Sequence, residues 1–308
     1  MKAARLHAYG DLADIEIENI EKPEPGPDEV LIRVVSVSVN PLDRKLVQGI
    51  LDDFFPLSFP YTLGTDFAGI VERSGPLATR WHPGDQVIAR ANPVQGGAFA
   101  EYAVVPATHI ASAPANLTLE EASALPTVAG TAWQALMEVA NLRSGQTVLI
   151  HAGAGGVGSI AVQLARIAGA RVIATASSSG IDLVRQLGAD HVINYQVEDF
   201  SDRLQDVDVV LDTVGGDTQQ KSFAVLRPGG FLASIVSPPN KALAKAHDVT
   251  ASYVFHETVG TRLHLIAGLC EAGSLQVIID RKFPLVETGA AMAYLAEGHT
   301  KGKVLLVP

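Results

Sequence analysis

Thr147-Val-Leu-Ile150-His-Ala-Gly153-Ala-Gly155-Gly-Val-Gly158-Ser-Ile-Ala-Val-Gln-Leu-Ala-Arg-Ile-Ala-Gly169-Ala-Arg-Val-Ile-Ala-Thr175 reads as strand, turn, helix and strand in one unbroken run. Thr147–Ile150 is short, apolar and β-branched, which suits a buried parallel strand. From Val157 the residues Ile160, Ala161, Leu164, Ala165 and Ala168 recur at helical spacing, and Gly169 ends that helix. Between them Gly153, Gly155 and Gly158 form G-x-G-x-x-G. A tight turn without a ligand would need the glycines alone. Here the whole βαβ context is present, in which glycines let the backbone approach a pyrophosphate while the helix N-terminus offers it free N–H groups.

Outward from this unit, strand and helix alternate to the C-terminal side. Strands are predicted at 147–150, 171–175, 191–194, 208–212, 231–236 and 251–255, with helices such as 182–187 and 218–226 between them. Six strands in this order predict a doubly wound parallel sheet, an α/β domain. The first 120 residues or so differ. Candidate strands 3–8, 15–20, 30–39, 68–72, 86–89 and 101–105 are separated by turn clusters such as Pro23-Glu24-Pro25-Gly26-Pro27-Asp28 and His82-Pro83-Gly84-Asp85. They predict an antiparallel, barrel-like domain. A helical pattern begins near Leu119 and runs through 131–140. After the six strands come a helix at 287–297 and a strand at 303–307, which is expected to return to the first domain. The boundaries predicted are 1–122 completed by 280–308, and 123–279.

The chain has 308 residues, 47% of them hydrophobic and 18% charged, so a sizeable core is expected. A net charge of −10 argues against nucleic-acid and anionic-membrane partners. Cys270 is the only cysteine, which excludes an intramolecular disulfide and a thiolate zinc cluster. There is no signal-peptide pattern at the start and no membrane-length apolar run, so a cytoplasmic protein is expected.

Further motifs follow in order: Val39-Asn40-Pro41-Leu42-Asp43, Gly64-Thr65-Asp66-Phe67-Ala68-Gly69, Trp81-His82-Pro83-Gly84-Asp85-Gln86-Val87, Gly97-Ala98-Phe99-Ala100-Glu101-Tyr102, Gly130-Thr131-Ala132, Leu187-Gly188-Ala189-Asp190, Arg227-Pro228-Gly229-Gly230 and Gly298-His299-Thr300-Lys301-Gly302-Lys303. In their order and spacing the chain resembles zinc-free medium-chain dehydrogenases/reductases of the quinone oxidoreductase (zeta-crystallin-like) group, over nearly its whole length. The resemblance implies a GroES-like domain and a Rossmann domain with the active site between them.

It also implies roles for particular residues. Zinc-dependent relatives carry a cysteine where Asn40 stands, a histidine where Thr65 stands, and a cysteine or aspartate near Thr127. None of the three residues here is a good zinc ligand, and the nine histidines show no ligand spacing, so no metal is expected. From its residues alone Asn40-Pro41-Leu42-Asp43 is ordinary turn chemistry. The resemblance places it beside the nicotinamide, with Asn40, Asp43 and Thr127 as the catalytic polar groups and Lys45 near the cofactor. Gly153, Ala154, Gly155, Gly156, Val157 and Gly158 would hold the pyrophosphate. Val214 and Gly215, Ile235 to Ser237, and Phe255 with His256 follow strand ends, where ligands of this fold bind.

The resemblance also places Ser177 and Tyr195 in the adenosine pocket. NAD enzymes place an acid about 20 residues past the glycines, on the ribose 2′-hydroxyl. Here the strand runs out into Ala176-Ser177-Ser178-Ser179-Gly180 and carries none, which favours NADPH. No basic residue stands at that tip, although Arg171 and Arg185 are near in sequence. The expected activity is NADPH-dependent reduction of quinones or related α,β-unsaturated carbonyls, with a quinone or enone as the small-molecule partner. Alternatives are a 2-enoyl thioester or alkenal reductase, a zinc alcohol dehydrogenase, and a non-enzymatic NADPH-binding protein. The enoyl reductases' tyrosine is missing from Gln48-Gly49-Ile50-Leu51-Asp52. The resemblance also implies a homodimer, formed through an edge strand near Leu275–Ile279, an apolar, β-branched stretch.

Overall fold

The computed structural model describes residues 1–308 and divides into two compact units. The first comprises 1–127, 258–273 and 277–308, the second 128–257 and 274–276.

In the first unit, β1 (Lys2–Leu6) pairs with β2 (Glu16–Asn19) and β4 (Tyr61–Thr62) in a small antiparallel sheet. A larger sheet holds β3 (Glu29–Val39), β5 (Asp66–Ser74), β6 (Gln86–Arg90), β7 (Tyr102–Pro106) and β8 (Ile110–Ser112). β15 (Ile279–Pro284) and β16 (Lys303–Val307) complete it, β16 antiparallel to β3 with Leu305 opposite Ser38. The return of the last strand is therefore as predicted. Alternation explains the core: Val30, Ile32, Val34, Val37 and Val39 are buried with Phe67, Phe99, Val304 and Leu306. Asn40-Pro41-Leu42-Asp43, turn-like by residue type, instead opens a helix, α1 (Pro41–Val47). Proline suits the first helical position, and the Asn40 N–H donates to Asp43 Oδ2 at 2.7 Å, closing the first turn.

The second unit is a six-stranded parallel sheet in the order β11-β10-β9-β12-β13-β14. These are β9 (Thr147–Ile150), β10 (Arg171–Ala176), β11 (His191–Asn194), β12 (Val207–Asp212), β13 (Leu226–Ser234) and β14 (Thr250–Tyr253). All six were expected, β13 starting earlier than predicted. Between them run α4 (Gly156–Ile167), α5 (Ile181–Gln186), α6 (Gly216–Val225) and α7 (Lys241–Ala246). α2 (Leu119–Ala122) is capped by Thr118 with Glu121. The chain crosses from the first unit to the second inside α3 (Pro126–Trp133), which continues as a π-helical stretch, Gln134–Val139.

Two expectations need correction. Residues 258–273, assigned above to the Rossmann part, form α8 (Gly260–Glu271), which packs on β8 in the first unit. A Cβ on Gly260 would lie 2.6 Å from Thr108 O, so only glycine allows that approach. And Leu275–Ile279 is no edge strand of the parallel sheet. Gln276 is held by the Gln163 side chain, and the strand that starts at Ile279 joins β16. The edges of the parallel sheet are β11 and β14. α9 (Thr288–Ala296) precedes the last strand. No helix is long and apolar enough to cross a membrane.

Candidate active site

The glycine loop joins β9 to α4. Its path is fixed by Thr175 on the neighbouring strand: Gly153 N donates to Thr175 O at 2.8 Å and Ala152 N to Thr175 Oγ1 at 3.1 Å. Ala152 itself takes a left-handed φ of 48°. A Cβ on Gly158 would sit 2.1 Å from Ala152 O, and one on Gly153 would press on Ala174 and Val184. These two glycines permit close helix–strand packing. Gly155, at the N-cap of α4, has only Ala152 O near its missing Cβ, at 3.3 Å, and no side chain caps the helix. The first-turn N–H groups, from Gly156 and Val157 onward, thus lack a side-chain acceptor, as a bound pyrophosphate requires. His151, just before the loop, is buried against Thr175 Oγ1 and Ser222 Oγ. Burial pulls its pKa down to about 4, so it is a neutral structural group.

The loops after β12 and β13 are gathered by a residue that the sequence reading missed. Buried Asp212 accepts from Val214 N at 3.0 Å, Gly215 N at 2.8 Å, Gln219 Nε2 at 2.9 Å and Ser234 Oγ at 2.8 Å. Gln219 Nε2 also lies 3.2 Å from Ser237 O, and Ile235 N donates to Asp212 O at 3.0 Å. Val214, Gly215, Ile235 and Ser237 are thereby brought together. Phe255 and His256 lie against the start of the unit: Gln134 Nε2 donates to Phe255 O at 3.1 Å, and a Cβ on Gly130 would meet the His256 ring at 2.4 Å. At the C-terminal ends of the next two strands, Ser177 follows β10 and Tyr195, exposed, follows β11. Arg171 lies at the opposite end of β10, and exposed Arg185 stands 3.7 Å from Asp182, so neither belongs to the serine turn.

In the first unit Asn40, Asp43 and Thr127 do come together, inside a buried charged cluster. Asp66 Oδ1 accepts from Thr127 Oγ1 at 2.6 Å, and Asp66 Oδ2 from Thr127 N at 3.0 Å and Asn40 Nδ2 at 3.1 Å. Arg90 Nε donates to Thr127 Oγ1 and Arg90 Nη1 to Thr258 Oγ1, each at 2.8 Å. Lys303 Nζ donates to Asn40 Oδ1 at 2.5 Å and Val39 O at 2.7 Å. Asn40, Asp43, Asp66, Arg90 and Lys303 are all buried; Thr127 and Lys45 are half-buried. Burial pushes the Asp43 carboxyl up to about 7; the Asp66 charge adds to this, while the Asn40 N–H, Lys303 and Arg90 oppose it. Burial likewise pulls Lys303 down against the pull of the two carboxylates.

Arg90 and Lys303 were not singled out from sequence. Their signal was a cation inside an apolar strand, Gln86-Val-Ile-Ala-Arg90 and Lys303-Val-Leu-Leu-Val. The cluster does not fit a zinc ion: it offers no thiolate or imidazole, and an ammonium already occupies the Asn40 carbonyl oxygen.

A family model described as "Alcohol dehydrogenase GroES-like domain" matches residues 26–115, and one described as "Zinc-binding dehydrogenase" matches 187–306. The chain is 33% identical over 324 residues to the quinone-oxidoreductase QR1, chloroplastic, of Triphysaria versicolor, spanning 100% of this chain and 98% of that protein. It is 34% identical over 323 residues to the NADPH-dependent alkenal/one oxidoreductase, chloroplastic, of Arabidopsis thaliana, spanning 100% and 80%. The crystal structure of Escherichia coli quinone oxidoreductase complexed with NADPH superposes with a TM-score of 0.91 at 26% identity, covering 100% of both chains. Fold, glycine loop and full-length similarity agree: the chain belongs to the quinone oxidoreductase group of the medium-chain dehydrogenase/reductase superfamily and is an NAD(P)H-dependent oxidoreductase.

Proposed function

We propose that the protein is an NADPH-dependent, zinc-independent reductase of quinones and related α,β-unsaturated carbonyls. The observation that carries the reading is the open glycine cradle of α4 beside a strand end that carries serines and no acid. NADPH, when bound, supplies the hydride. The chain's own residues bind and position. Gly156 and Val157 present N–H groups to the pyrophosphate, while the Gly155 N–H donates to Ala152 O at 2.9 Å and shapes the turn. Thr175 holds that loop still, and Asp212 with Gln219 fixes the strand-end loops that carry Val214 and Ser237.

In the first unit, Lys303 and Arg90 hold Asn40 and Thr127, whose side-chain polar atoms all face protein partners. Asn40, Asp43 and Thr127 act in this reading as positioning residues. A quinone that accepts hydride becomes a stabilised phenolate-type anion, which water protonates, so positioning matters more than a side-chain acid. Similarity to the alkenal/one oxidoreductase supports an enone acceptor as the second reading. The test is NADPH oxidation with quinones, alkenals and enoyl thioesters side by side. Quinones or alkenals should give the highest kcat/KM; turnover confined to enoyl thioesters or to simple alcohols would refute the proposal.

We also propose a homodimer. The outer edge of β14 has no partner strand in the sheet, and such edges are rarely left bare. Sedimentation showing only a 32.4 kDa species would contradict it.

A further inference from the structure

The serine turn after β10 is locked from one side. Gln196 Oε1 accepts from Ser178 N at 2.9 Å and from Ser178 Oγ at 2.7 Å. Asn194 Nδ2 donates to Ser178 Oγ at 2.9 Å, and Gln196 N donates back to Asn194 Oδ1 at 3.1 Å. Ser178 is thus fully engaged, while Ser177 and Ser179 face only each other, 3.2 Å apart. Gly180 closes the turn onto Ala154 of the glycine loop, where a Cβ would stand 2.8 Å from the Ala154 Cβ. The turn is therefore part of the cradle.

The direction of the Gln196 amide is determined. A backbone N–H can only donate, so the atom facing Ser178 N must be the carbonyl oxygen. The amide NH2 is then turned away from Ser178 on an exposed side chain, beside the strand end where this fold places the adenosine ribose. A glutamate would accept the same two hydrogen bonds and more strongly. What the glutamine changes is charge and a free donor. No lysine or arginine stands in this turn, and Arg185 is drawn to Asp182.

We propose that Gln196 is a specificity-determining residue, whose amide NH2 reads the ribose 2′-phosphate in place of a basic side chain. This rests on the reading of NADPH as the preferred cofactor. The 2′-phosphate then meets the Gln196 NH2 together with the hydroxyls of Ser177 and Ser179, and the pinned carbonyl keeps the turn in shape.

The experiment is calorimetric titration of wild type, Gln196→Glu and Gln196→Lys with NADPH, NADH, 2′,5′-ADP and 5′-AMP, with circular dichroism confirming the fold. Gln196→Glu keeps the acceptor and replaces the donor by an anion. It should weaken NADPH and 2′,5′-ADP by about 10–100-fold and leave NADH and 5′-AMP within about threefold. Gln196→Lys should hold NADPH at least as tightly as wild type. A purely structural role would move the phosphorylated and unphosphorylated ligands alike. Equal losses for both classes in Gln196→Glu, or an unchanged NADPH-to-NADH ratio, would overturn the proposal while leaving NADPH preference intact. A wild type that binds NADH as tightly as NADPH would overturn the cofactor reading itself, and the role of Gln196 with it.

Discussion

The glycine loop of the second unit and the Asn40–Lys303 cluster of the first handle polar groups in opposite ways. The loop leaves donors free: its glycines remove side chains, and the helix that starts at Gly156 has no side-chain cap. The cluster satisfies its carboxylate oxygens from within, except for the buried Asp43 Oδ1, which has no partner. Asp66 takes hydrogen bonds from Asn40 and Thr127, Arg90 holds Thr127 and Thr258, and Lys303 holds Asn40. The first arrangement waits for an anion. The second is already neutralised by its own cations. The difference teaches that one chain can leave donors open in one place and satisfy nearly every buried charge in another.

The sharpest way to break the comparison is Lys303→Met. It removes one of two buried cations and leaves the carboxylates facing Arg90 alone. Loss of about 3–5 kcal/mol of stability is expected, read by urea unfolding. Asn40→Ala removes a neutral member of the same cluster, and quinone kcat/KM should fall by only about 10–100-fold, with turnover retained. If Lys303→Met is as stable as wild type, the cluster is not held by its charges.

A second variant sharpens the electrostatic side. The Asp43 carboxyl is raised in the folded state to about 7, from an ordinary value near 4 in the unfolded chain. Between these values the folded protein holds a proton that the unfolded chain has lost, so this group's contribution falls as pH rises from about 4 to about 7. His151 works the other way, since its folded pKa is about 4. The stability difference between Asp43→Asn and wild type isolates the carboxylate. It should grow in favour of the variant over that window and level off above it, by on the order of 1 kcal/mol or more. A difference independent of pH would show that Asp43 titrates normally.

How much was legible in the sequence follows the same division. The glycine loop is local: every residue that shapes its backbone lies within one βαβ unit, and spacing alone revealed it. So did the six strands and the return of Lys303–Val307. The cluster is not local. Asn40 meets Asp66 26 residues away and Lys303 263 residues away, and Asp66 meets Thr127 across 61. No periodicity encodes such pairs, and a lysine or arginine in a strand reads as an exposed face until its partners are known. The α1 helix was missed because Asn-Pro-Leu-Asp serves a turn or a helix start equally well, and burial of Asp43 under its cap decides between them. Gln196 was silent for the same reason as Lys303: its meaning lies in the amide's direction, which Ser178 on another element sets.

The most direct test of this division is metal content together with activity after exhaustive chelation. NADPH oxidation with quinone should be unchanged after chelation, and metal analysis should find well under one zinc per chain. A stoichiometric zinc whose removal abolishes turnover and whose return restores it would contradict the account, because the Asn40–Lys303 cluster would then be a metal site and not a self-neutralised core.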